Sequence, residues 1–101
     1  MSEPTRAYRF AVNVTPKPGI LDPQGKAVER SLPHLGIAGV TDVRVGRRVE
    51  LTVAAADEPA ARMIVDRLAG ELLSNPLMEQ FGVESLGEAE ATATTTTGVG
   101  G

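Results

Sequence analysis

Tyr8-Arg9-Phe10-Ala11-Val12-Asn13-Val14 alternates apolar residues with mostly polar ones. A β-strand sends successive side chains to opposite faces, so Tyr8, Phe10, Val12 and Val14 share one side. Thr15-Pro16-Lys17-Pro18-Gly19 follows and cannot continue a central strand, because its two prolines remove ladder donors. It reads as an extended loop. Asp22-Pro23 then announces a helix: Asp22 can cap orphan N–H groups, and proline suits the first helical position. The helix is expected from about Pro23 to Leu35, with Val28, Leu32 and Leu35 on one stripe beside Ala27 and Ser31. Pro33 opposes the Glu29 carbonyl and should kink or loosen the last turn, and Gly36 is the stop signal.

Two further alternating runs follow. Val40 to Arg47 would point Val43 and Val45 inward and Asp42 and Arg44 outward, with Gly46 permitting a bulge or bend. Arg48 to Ala54 places Val49, Leu51 and Val53 on one face and Glu50 and Thr52 on the other. The two runs are nearly contiguous, so they form a hairpin or one long bent ribbon. Asp57-Glu58-Pro59 starts a second helix by the same logic as Asp22-Pro23. Ala61, Ile64 or Val65, Leu68 and Leu72 supply its buried stripe, and Asn75-Pro76 ends it. Gln80 to Leu86 is a short fourth strand with Phe81 and Val83 on one face. The order strand-helix-strand-strand-helix-strand, with one apolar face per strand, gives an α+β two-layer sandwich in which two helices cover an antiparallel sheet. Residues 1–6 form a lead, 7–87 the domain, and 88–101 an alanine, threonine and glycine tail. That tail buries too little apolar surface to offset its ordering entropy, so it is read as disordered.

Composition narrows the function. A chain of 101 residues fits one domain. A domain so small buries only about 60–65% of its unfolded surface, so a partner subunit would help stabilise it. With 10 Lys+Arg against 13 Asp+Glu, and one Tyr and two Phe as its aromatics, the chain has neither the basic face nor the stacking platform of a nucleic-acid binder. It has no cysteine and one histidine, which excludes disulfides, thiolate nucleophiles and histidine-based metal clusters. No apolar run is long enough to span a membrane, and the first six residues lack a signal-peptide core, so a cytoplasmic protein is the expectation. No phosphate-binding glycine loop of the GxxxxGK type is present, and the carboxylates Asp22, Asp42, Glu50 and Asp57 are scattered over different elements. Arg47-Arg48 fits either a contact with a partner's carboxylates or phosphate, or a solvated hairpin tip. The proline-bracketed loop Lys17 to Gly25 fits either a rigid partner contact or a well-capped connection. On these grounds alone the chain is a small α+β interaction module.

Three local blocks are more specific. Lys17-Pro18-Gly19-Ile20-Leu21-Asp22-Pro23-Gln24-Gly25-Lys26-Ala27-Val28 resembles the loop and first helix of the PurS family. Val40-Thr41-Asp42-Val43-Arg44-Val45-Gly46-Arg47 with Val49-Glu50-Leu51 is similar to its central strand pair, and Leu72-Leu73-Ser74-Asn75-Pro76-Leu77-Met78-Glu79 to its second-helix ending. The blocks occur in the family's order over about Tyr8 to Val83. Pro33 departs from that pattern, and nothing in it matches the threonine-rich tail.

The resemblance implies a non-catalytic subunit of phosphoribosylformylglycinamidine synthase, a glutamine-dependent, ATP-dependent carbon–nitrogen ligase of purine synthesis. Its expected partners are a glutaminase subunit, PurQ, and a synthetase subunit, PurL. A homodimer or higher homo-oligomer is expected as well. The complex would use ATP and magnesium, and this chain would bind no cofactor or metal itself. Pro18, Gly19, Leu21, Asp22, Pro23 and Gly25 are the residues expected to give loop shape and subunit contact. Arg44, Arg47 and Glu50 are candidates for charged contacts, and Asn75 and Pro76 for turn geometry. Arg47→Glu is then expected to weaken complex formation without unfolding the domain. The rivals are an ACT-type sensing module, which shares the element order and would bind an amino acid, and an RNA-binding module of similar topology.

Overall fold

A computed structural model describes residues 5–89. Three strands form one antiparallel sheet: β1 (Arg6–Pro16), β2 (Arg47–Ala55) and β3 (Glu79–Glu88), in the order β2-β1-β3. The alternating run that begins at Tyr8 is therefore the central strand. Phe10 lies opposite Leu51 on one side and Ser85 on the other, and Val12 opposite Val49 and Val83. Tyr8, Phe10, Val12 and Val14 all point into the core, and the last three are fully buried. A break in register between Arg9 and Phe10 leaves Leu86 unpaired in β3, and Gly87 with φ +97 carries the bend.

Helix α2 (Glu58–Leu68) lies against this apolar face. Its start is as the sequence indicates: Asp57 accepts from Ala60 N at 2.9 Å, with Pro59 in the first turn. Ala61, Val65 and Ala69 are fully buried, which chooses Val65 over Ile64. Leu72, assigned to the buried stripe, is 73% exposed. The helix passes into a π turn over Ala69–Leu73, and the wider turn brings Leu73 against the core in its place. Ser74 Oγ closes the turn on Ala69 O at 2.8 Å. Gly70 sits in this turn, and a Cβ there would meet only the edge of the Phe81 ring at ordinary contact distance, 3.7 Å. Gly70→Ala is therefore expected to stabilise the chain by about 0.5–1 kcal/mol, read as a raised urea midpoint.

The α+β class, the antiparallel sheet and the two helices stand as read, but three details differ. Helix α1 (Pro23–Ser31) does not cover the sheet. It stands beyond the sheet's end with Gly25 as its one buried residue, and Val28 and Leu35 remain exposed. Its intended stripe therefore has no sheet beneath it among the described residues. At Pro33 the helix tightens into a 3₁₀ turn, Leu32–Leu35, and ends at Gly36 with φ +71.

The run Val40 to Gly46 joins no strand among the described residues. Asp42 adopts φ +59, which interrupts the alternation, and the amides of Val43 and Val45 bond to the side chains of Glu29 in α1 and of its cap residue Asp22 instead of a neighbouring strand.

The bounds of the domain also shift. Arg6, assigned to the lead, opens β1, and Glu88 completes β3. Ala89 N donates to Ala7 O at 2.7 Å, two residues into the stretch read as tail. The rest of the lead, 1–4, and of the tail, 90–101, lies outside the described residues.

Candidate functional site: three segments meeting at one end of the sheet

The loop after β1, the segment before β2 and the turn before β3 meet at one end of the sheet. Asp22 is the hinge-pin of this meeting. Its Oδ1 accepts from Gly25 N at 3.0 Å and caps α1, while Oδ2 accepts from Val45 N at 2.8 Å. Seven residues on, Glu29 Oε2 accepts from Val43 N at 2.8 Å. The spacing explains the pairing. Residues seven apart lie on one helix face, and the amides of residues two apart in an extended segment point to one side. Gly25 lets the segment come this close, since a Cβ would collide with the Val43 carbonyl oxygen and crowd the Asp22 carboxylate. Gly46 plays the same part against the Val14 carbonyl of β1.

Asp22 is 8% exposed, and its charge is held by the amides that point at it. The Gly25 N–H first, and then the Val45 N–H, keep its carboxyl below the usual range. The Val43 N–H does the same for Glu29, with Lys26 3.5 Å away adding a smaller effect. A lowered folded pKa means that the unfolded chain takes up protons first as the pH falls. The stabilisation is complete above the ordinary carboxylate values, about 4 to 4.5, and is lost as pH drops through the lowered ones. Acid titration is expected to release residues 43–45 from α1 in that window, read as movement of the Val43 and Val45 amide resonances to exposed positions. Unmoved resonances down to pH 2 would contradict it.

Basic side chains complete the cluster by donating to backbone carbonyls. Arg44 donates to Pro16 O at 2.9 Å and Lys17 O at 2.8 Å, and Lys17 Nζ reaches Pro76 O at 2.6 Å. Arg47 grips Glu79 through both oxygens, at 2.8 and 2.9 Å, and also donates to Leu73 O at 2.6 Å. Asn75 forms the turn: its Oδ1 accepts from Leu77 N, and its carbonyl accepts from Met78 N and Glu79 N. Pro76 sits at the tip of that turn, where its carbonyl receives Lys17. Pro18 and Gly19, φ +84, turn the chain outward, and Leu21 projects into solvent, 72% exposed. A cleft of about 590 Å³ opens between the segments, walled by Ile20, Leu21, Pro23, Val45 and Met78, with Arg47 and Glu79 at one side.

Ten of the eleven candidate residues thus meet at this end. Glu50 does not. It lies on the polar face of the sheet, opposite Ala11, where it accepts from Arg48 at 2.9 Å and Arg9 at 3.4 Å. Arg48 spans that face to Glu84 at 3.0 Å, so it is a sheet-face ion pair and not a hairpin tip. Arg44 and Arg47, expected to offer charge across an interface, are instead engaged within the chain. Arg47→Glu accordingly faces Glu79 with a second carboxylate and is expected to lower the melting temperature of the free chain. The charge-swapped pair Arg47→Glu/Glu79→Arg should recover part of the loss, and an equal loss in both would remove the ion pair from the account. Sequence reasoning did not select Glu29, Lys17 or Glu79. The seven-residue spacing from Asp22 marks Glu29, but the carbonyl partners of Lys17 leave no mark in sequence.

The described residues hold no group of three or more His, Cys, Asp or Glu able to bind a metal ion, and no helix among them is long and apolar enough to cross a membrane. Fold and site together define a small α+β scaffold domain, whose polar groups at the sheet end are used to fix the shape of three loops. The family model of PurS, phosphoribosylformylglycinamidine (FGAM) synthase, matches residues 9–87, and the chain belongs to that family. The synthase subunit PurS of Synechocystis is 39% identical over 80 residues, covering 79% of this chain and 80% of that protein. The Bacillus subtilis subunit is 35% identical over 77 residues, covering 76% and 90%. Among solved structures, the purS subunit of Thermotoga maritima superposes with a TM-score of 0.75 at 32% identity, covering 83% of this chain and 97% of that one. A chain in the structure of PurLQS from the same organism gives 0.73 at 32%, covering 79% and 98%.

Proposed function

We propose that this chain is the non-catalytic assembly subunit of phosphoribosylformylglycinamidine synthase, and that it bridges a glutaminase subunit and an ATP-dependent synthetase subunit in purine synthesis. The observation that carries the reading is the match of nearly the whole described fold to a chain of the Thermotoga PurLQS structure. The chain's own inventory supports it. The glutaminase step needs an activated nucleophile, and this sequence has no cysteine. The complex would take its ATP and magnesium through the synthetase subunit, in the cytoplasm. The exposed Val28 of α1 and Leu35 of the turn after it support a homodimer, since a second copy would cover what the chain's own sheet does not.

Bridging has a chemical purpose. Ammonia released into neutral water is mostly protonated, and ammonium is not a nucleophile. A subunit that closes the path between two active sites keeps it neutral and local. The test is gel filtration of the chain with its cognate glutaminase and synthetase, in the presence of glutamine, ATP and magnesium. Co-elution of all three is expected. Separate elution of this chain under those conditions would overturn the bridging role.

A further inference from the structure

Among the described residues every lysine and arginine but one is engaged within the chain, with a carboxylate or, for Lys17, Arg44 and Arg62, with a backbone carbonyl. Arg30 is the exception. It stands exposed in the last turn of α1, with no acceptor among the described residues. His34 follows four residues on, also exposed, in the 3₁₀ turn. Residues four apart share a helix face, so the two side chains stand together. No carboxylate of their own helix answers them. The one acid of α1 and its turn, Glu29, accepts from Val43 N and holds Lys26 at 3.5 Å. Residues two apart lie about 200° around a helix axis, so Arg30 faces away from Val28. It is therefore on the side of α1 opposite the one assigned above to a second copy.

We propose that Arg30 and His34 form a docking point for a carboxylate-bearing surface of a partner subunit, so that α1 is held between a second copy on one side and an acidic partner on the other. The partner rests on the assembly reading above. The guanidinium offers paired N–H groups that match the two oxygens of a carboxylate, and the His34 ring adds an N–H donor. A small free anion is a poorer fit. The two side chains stand on a convex helix surface with no concave site around them, and the carbonyls at the helix C-terminus repel an anion held close to the backbone. A partner's glutamate or aspartate meets the tip of the long arginine side chain, away from those carbonyls. The chain carries a net charge of -3, so this face is a local reversal of sign. Such a reversal orients an acidic partner that the rest of the chain would turn away.

The test measures the affinity of the full chain for its cognate glutaminase and synthetase subunits, with glutamine, ATP and magnesium, at about 50 and about 300 mM salt. Arg30→Gln/His34→Gln is expected to weaken binding several-fold, and Arg30→Glu/His34→Glu by about tenfold or more at low salt. The unchanged chain should lose affinity as salt rises, and the glutamate variant should have lost most of that dependence. Both variants should keep the melting behaviour and the self-association of the unchanged chain, because neither side chain has a partner within it. Unchanged affinity and salt dependence in the glutamate variant would overturn the docking point. Loss of self-association together with partner binding would also overturn it, since the Arg30 side would then belong to the second copy. The unchanged chain separates the two readings. If it binds neither subunit, the assembly role falls and the docking point with it; if it binds and the variants bind equally well, only the docking point falls.

Discussion

Phe10→Ala is expected to lower the unfolding free energy by about 3–5 kcal/mol. Phe10 is fully buried at the middle of the central strand, between Leu51 and Ser85. Its ring is the largest fully buried side chain in the chain's described core. Alanine removes that ring and leaves a cavity that a sheet paired on both sides of β1 cannot close. Small domains have a total stability of about 5–15 kcal/mol, so the loss takes a large share of it. Urea unfolding followed by far-UV circular dichroism should show a much lower midpoint with an unchanged slope. A loss below about 1 kcal/mol would mean that the core is not centred on β1.

Gly25→Ala is expected to have the largest effect on assembly. The added methyl meets the Val43 carbonyl, which is backbone, and crowds the Asp22 carboxylate. Neither can move without opening the Asp22–Val45 and Glu29–Val43 bonds. Overpacking of this kind costs about 1–3 kcal/mol, and here the cheaper response is to release residues 43–45. Their amides should lose protection, while the amide of Val12 in β1 keeps its own. Glutamine-fed turnover of the reconstituted synthase should fall with them, since the loop cluster loses its shape. A variant with exposed Val43 and Val45 amides but full turnover would show that the cluster does not serve assembly.

The sheet was legible in sequence because its signal is local. The alternation from Tyr8 to Val14 and from Val49 to Val53 reports a half-buried strand without knowledge of partners. Asp22-Pro23 and Asp57-Glu58-Pro59 likewise fix both helix starts, because capping involves residues only three apart. What sequence reading missed is set by geometry across the fold. The alternation of Val43-Arg44-Val45 reads like a strand's, yet the amides of both valines go to Asp22 and Glu29, fourteen and more residues away. The π turn that exchanges Leu72 for Leu73 leaves no mark in the hydrophobic period before it. The candidate site was legible as a set of residues and not as a set of roles. The loop, turn and arginine residues meet as a cluster, but Arg44 and Arg47 act inside the chain, and Glu50 belongs to the other face of the sheet.

The central claim is that this chain couples two active sites that it does not itself contain. It is tested most directly by following amidine formation by the cognate glutaminase and synthetase subunits, with ATP and magnesium, with and without this chain. Each mixture is fed either glutamine or ammonium salt. The account predicts that omitting the chain abolishes most glutamine-fed turnover and leaves ammonia-fed turnover largely intact. Equal glutamine-fed turnover with and without the chain would contradict it.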